Sequence, residues 1–136
     1  MKTGLGVLIR RLFGTGESGA VARTSLNKSI KELWLDGDEN ALCFVFADGS
    51  RMRLRDEGQS CCERRYMRTD DNLGEFIGAT LTNLEIREAP DVDDGDGEAH
   101  EVQFLVVTTD RGSFTVSNHN EHNGYYGGFS LEAEAR

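Results

Sequence analysis

The side chains best suited to chemistry fall in two short runs. One is Ser60-Cys61-Cys62-Glu63-Arg64-Arg65-Tyr66, and the other, about 60 residues later, is Asn118-His119-Asn120-Glu121-His122-Asn123-Gly124-Tyr125-Tyr126-Gly127-Gly128. Asn118, Asn120 and Asn123 carry donors and acceptors together, which suits the edge of a base or the hydroxyls of a ribose. Tyr125 and Tyr126 offer flat faces on which a ring can stack, and the glycines let backbone N–H groups come close to a ligand. Arg55, Arg64 or Arg65 would meet a phosphate. The same glycines also make tight turns, and paired tyrosines often serve as core with a wet tip.

Metal chemistry fails on spacing. Cys61, Cys62, His119 and His122 hold the right atoms for zinc, and His119-Asn120-Glu121 echoes the His-x-Glu of zinc deaminases. That chemistry also needs a Cys-x-x-Cys to complete the metal shell, and none exists here. Adjacent cysteines in extended chain point to opposite faces. The acidic run from Asp91 to Glu98 fails as a calcium loop, because Gly95 stands at the fifth position, Asp96 at the sixth and Val102 at the twelfth. A thiolate paired with His119 or His122 would be a nucleophile, with Arg64 and Arg65 lowering the thiol pKa. A free cysteine more commonly acts as a small buried hydrophobe. The residues therefore lead us to expect no catalytic group, no metal and no cofactor.

What positions these runs is a small β-rich domain. At 136 residues the chain suits one core. Leu42, Phe44 and Phe46 alternate with Cys43, Val45 and Ala47, so the strand from Ala41 is apolar on both faces and central. Asp48-Gly49 reads as a hairpin turn. Met52 and Leu54 then alternate with Arg51, Arg53 and Arg55, a strand with one wet face. Residues 57–68 show no clear period. A short helix capped at Thr69 or Asp70 should carry Leu73, Phe76 and Ile77 on one face and end at Gly78. Strands follow over residues 79–88, 101–109, 113–117 and 129–133, with Asn118 to Gly128 as a loop. The sum predicts a mainly β or α+β domain over residues 30–136, a single antiparallel sheet of six to seven strands with one short helix. Glycines at 4, 6, 14, 16 and 19 make residues 1–29 a flexible basic tail.

The net charge of −9 is divided unevenly, six basic side chains against Glu17 in residues 1–31 and nine basic against twenty-three acidic in the rest. So acidic a body does not wrap a nucleic-acid polymer. It does suit an alternative, an acidic interaction module that inhibits a host factor or sits in a virion, with the basic tail as its docking arm. No apolar run reaches the roughly 20 residues of a membrane span. Three cysteines, two of them adjacent, and arginines placed after rather than before the first apolar run point to a cytoplasmic location.

Ser60-Cys61-Cys62-Glu63 with Tyr66, followed by Asn120 to Phe129, resembles a family of small uncharacterised phage and prophage domains over roughly residues 32–131. More distantly, the Cys-Cys and Asn-Gly-Tyr-Tyr-Gly-Gly elements are similar to phage sponge proteins. The resemblance implies an anti-defence role in the host cytoplasm: a homo-oligomer that sequesters a nucleotide-derived immune signal without cleaving it. Together with the residue chemistry it implies a nucleotide-like small ligand, met by Arg55, Ser60, Cys61, Cys62, Arg64, Tyr66, Asn118, Asn120, His122, Asn123, Tyr125 and Tyr126.

Overall fold

Alternation of apolar and polar side chains decides which strands form and which way each one faces. The structure is a computed structural model that describes residues 16–37, 40–56, 63–88, 92–93, 99–122 and 128–136. Among the described residues nine strands appear in the order β1 (Ile30–Asp36), β2 (Ala41–Phe46), β3 (Arg51–Asp56), β4 (Glu63–Arg68), β5 (Leu81–Glu88), β6 (Val92–Asp93), β7 (Ala99–Thr109), β8 (Gly112–His122) and β9 (Leu131–Glu134). They make two antiparallel sheets rather than the single sheet expected. One runs β1-β2-β3-β9 and the other β4-β8-β7-β5, with two-residue β6 pairing β7.

The two sheets share one core. Leu33, Leu42, Phe44, Phe46, Met52 and Leu54 face it from the first sheet, and Met67, Leu84, Leu105, Val107, Phe114 and Val116 face it from the second. A single sheet with one dry face would have left half of this apolar surface wet, so a second layer is the physical answer. All six residues of β2 are buried, as a central strand requires. The turn at Asp48-Gly49 forms as expected, with Gly49 at φ +88° and Asp48 accepting from the Ser50 backbone N–H at 2.9 Å.

Among the described residues two seams join the sheets. On one side the backbone just before β1 bonds the start of β5, Asn27 N–H to Leu81 O at 2.7 Å and Leu81 N–H to Lys28 O at 3.0 Å. On the other side the join is ionic, Arg65 of β4 to Asp56 of β3.

Part of the expected tail is ordered: Glu17–Ser25 forms the helix α1, packed on β9 with Ala22 fully inside the core. Ser18 accepts the Ala133 N–H at 2.7 Å, which ties the helix to the last strand. The short helix expected after Thr69 is a single 3₁₀ turn, Leu73–Phe76, whose N-cap is Asn72 rather than Thr69 or Asp70, and Gly78 follows it at φ +92°.

Phe114 is buried in this core, its ring 4.9 Å from that of partly buried Phe76. Phe114→Ala should lower unfolding free energy by about 3–5 kcal/mol in urea denaturation. A loss under about 1 kcal/mol would contradict the shared core.

Candidate functional site

The two chemically loaded runs meet side by side. β4 pairs with β8 so that Glu63 faces His122, Arg65 faces Asn120 and Met67 faces Asn118, while Arg64, Tyr66 and Arg68 pair with Glu121, His119 and Ser117. The first set points into the sandwich and the second points out, because successive strand residues alternate faces. Asn118, Asn120 and His122 are therefore strand residues, not the loop expected. They are buried in the interior. The strand runs on because its inward polar groups find partners there.

The inward cluster is built on Arg65. Its side chain is 6% exposed and those of Asp56 and Glu63 are 1% exposed. Nη1 donates to both Asp56 oxygens at 2.9 and 3.0 Å, and Nη2 donates to Glu63 Oε2 at 3.0 Å. Asn120 Nδ2 donates to the same Glu63 oxygen at 2.8 Å and to the Gly128 carbonyl at 3.1 Å. Asp56 also accepts the Ser130 N–H at 2.9 Å. Glu101 accepts from His122 Nε2 at 2.7 Å and from the Gly128 N–H at 2.9 Å. A guanidinium between two carboxylates can be buried because each charge has a partner. Removing one partner strands the others at a cost of roughly 3–5 kcal/mol.

Bonding in this cluster is incomplete. Neither amide atom of Asn118 meets a hydrogen-bond partner among the described residues, although the residue is 1% exposed. Asn120 Oδ1 and Arg65 Nε are buried and unmet as well. Each such group carries a desolvation cost of about 1–3 kcal/mol.

The outward cluster is a ladder of planar groups. Tyr66 stacks on His119 with centroids 4.6 Å apart and planes 4° from parallel. The Arg64 and Arg68 guanidiniums lie 5.0 and 5.4 Å from the Tyr66 ring centre. His100 Nε2 is 2.9 Å from His119 Nδ1, and His119 Nε2 is 2.9 Å from Ser117 Oγ. A hydroxyl, a base and an orienting ring in line is the arrangement that activates a serine. Ser117 Oγ, however, donates to the Arg68 carbonyl at 3.2 Å. With its one proton directed there, we assign His119 as donor from Nε2 and acceptor at Nδ1. In that tautomer His119 donates to Ser117 Oγ and accepts from His100 Nε2, which holds the two rings in place. Arg68, Thr69, Phe104, Thr115, Ser117 and His119 border a shallow groove of about 420 Å³ beside the ladder.

Electrostatics follow from these contacts. Burial, then His100 and Arg68, push the His119 pKa down. The Tyr66 hydroxyl, donating to Glu121 at 2.6 Å, holds that carboxylate below its usual range. Burial and Glu121 push the Tyr66 hydroxyl up. Cys43, far away on β2, is pushed up to about 11 by burial and Asp36, so its thiol stays protonated and inert.

The expected ligand contacts are thus divided. Arg55 lies on the outer face of the first sheet, opposite Ala41 and Glu132. Arg64 and Tyr66 lie on the outer face of the second sheet, and Asn118, Asn120 and His122 on its inner face. Ser60, Cys61, Cys62, Asn123, Tyr125 and Tyr126 fall outside the described residues. Sequence reasoning missed Asp56, Glu63, His100 and Glu101 as members of these clusters. The alternation Glu63, Arg65, Met67 against Arg64, Tyr66, Arg68 was the available signal, hidden by charge on both faces. No group of three or more His, Cys, Asp or Glu among the described residues is placed to hold a metal ion. No helix among them is long and apolar enough to cross a membrane.

A two-sheet β domain with a charged, partly unmet interior at one end is the class that these features define. The chain belongs to the family described as a domain of unknown function, DUF7448, which it matches over residues 23–131. That span takes in the inward and outward clusters whole. No curated protein and no solved structure matches the chain.

The depressed His119 pKa has a thermodynamic consequence. The unfolded imidazole takes its proton near the ordinary 6.5 and the folded one only at lower pH. The stability it contributes is therefore present above that value and lost as pH falls through the folded pKa. Urea denaturation should show stability falling below pH 6.5, with His119→Gln flattening the slope between pH 7 and 5. An unchanged slope would contradict the assignment.

Proposed function

We propose that this domain is a non-catalytic module that binds a small, nucleotide-like ligand at the polar end of its interior. The observation that carries the reading is the direct pairing of Glu63 with His122, which joins the two loaded runs around buried Asn118, Asn120 and Arg65. Polar groups buried at such cost without full bonding are characteristic of sites that trade stability for recognition. The resemblance to phage sponge proteins supports the more specific form: a phage-encoded, oligomeric anti-defence protein of the host cytoplasm that sequesters an immune signal. Arg65 is held by two carboxylates and Arg55 lies on the far sheet, so a phosphate of the ligand would stay outside the sandwich, where Arg64, on the outer face of edge strand β4 with its side chain 74% exposed, would meet it.

A second reading rests on Trp34, which is 43% exposed on the outer face of the first sheet. A large aromatic open to solvent on an acidic body suits a protein partner. The binding of host protein through Trp34 would make this an interaction module instead.

Thermal shift of the purified chain with cyclic dinucleotides and ADP-ribose isomers tests the first reading. A ligand at a hundred times its Kd stabilises the fold by about 2.7 kcal/mol, which raises Tm by several degrees. No rise with any nucleotide at saturating concentration, alongside host protein retained by the wild type and lost on Trp34→Ala, would favour the second reading.

A further inference from the structure

Asn118 is the most informative side chain of the polar end. It sits on the inner face of β8 between Met67 of β4 and Gln103 of β7. Its neighbours two residues on are Asn120 and, across the strand pair, Arg65. Asn118 offers an unmet donor and an unmet acceptor on one planar group, Asn120 adds an acceptor and Arg65 Nε a donor. Four unmet groups on adjacent inward positions form a concentrated hydrogen-bonding surface with both polarities.

The charge around this surface limits what it accepts. Arg65 is flanked by Asp56 and Glu63, and Glu101 lies two residues along β7 from Gln103. Carboxylates outnumber the guanidinium among the described residues here, so a phosphate entering would meet repulsion from Asp56, Glu63 and Glu101. A neutral planar edge with a donor beside an acceptor meets no such penalty. It matches a carboxamide in the way that Asn pairs bidentately with a base. Solvent is close: Gln103, opposite Asn118 in the register, is only half-buried, and its amide donates to exposed Glu88 at 3.0 Å.

We propose that Asn118 is the specificity-determining contact of the ligand site, reading the uncharged hydrogen-bonding edge of a nucleobase rather than a phosphate. This rests on the small-ligand reading above and names the part of the ligand that enters the sandwich. Asn120 and Arg65, fixed by Glu63, supply the remaining acceptor and donor. The unmet amide is then a cost to the unliganded fold that the ligand relieves.

The test compares adenosine, guanosine, cytidine and uridine with their 5′-monophosphates by calorimetric titration. It uses the full chain and its Asn118→Val and Asn118→Ala variants, whose Tm is measured without ligand. At least one nucleoside should bind within about threefold of its monophosphate. Both substitutions should weaken that binding tenfold or more, the low end of what a bidentate base contact discriminates. Asn118→Val should raise the unliganded Tm. Binding of monophosphates alone, or nucleoside binding unchanged in both variants, would overturn the proposal and leave the small-ligand reading standing. So would a lower Tm or failure to fold in both variants, since the amide would then be satisfied within the fold. No binding of any nucleoside, monophosphate, cyclic dinucleotide or ADP-ribose isomer to the wild type would overturn both.

Discussion

The Arg65 guanidinium, buried between Asp56 of one sheet and Glu63 of the other, is the constraint on which the rest of the molecule depends. Charges this deep persist only when paired, so the strand carrying Arg65 must lie where both carboxylates can reach it. That fixes the approach of β4 to β3, and with it the second seam of the sandwich. It also fixes the face of every β4 residue. Turning Arg65 inward turns Tyr66 outward, where it stacks on His119.

Along β8 the interior changes character. Phe114 and Val116 belong to the apolar core, whereas Asn118, Asn120 and His122 belong to the polar end. One strand therefore lines both the apolar core and the polar end that we propose as the ligand site. The apolar half holds the two sheets together by area, and the polar half holds them by a few directional bonds. Its unmet amides mark where stability is given up. Gly128, at φ +80°, is drawn into that half through both its N–H and its carbonyl.

Much of the fold was legible from alternation alone. Met52 and Leu54 against three arginines, and the doubly apolar β2, placed those strands correctly. Two sheets were not legible, because period-two patterning shows that a face is buried and not what buries it. β4 and the far half of β8 were hidden for a related reason: with Glu63, Arg65, Asn118 and Asn120 inward, the dry face reads as polar. Similarly, Ala22 lies in a glycine-bordered stretch whose mean character is that of linker, although its small side chain fits fully into the core. The loaded runs themselves were visible by composition. Their adjacency depends on a strand pairing between residues far apart in sequence, which composition does not encode.

A double-mutant cycle between Asp56 and Arg65 tests the central claim most directly. Asp56→Ala and Arg65→Ala, separately and together, would be compared by urea denaturation. If the pair holds the sheets together, each single change costs about 3–5 kcal/mol. The double change then costs less than their sum, with a coupling above about 1 kcal/mol. Costs that add to within about 0.5 kcal/mol would show that the two side chains act independently, and the account of the seam would fail.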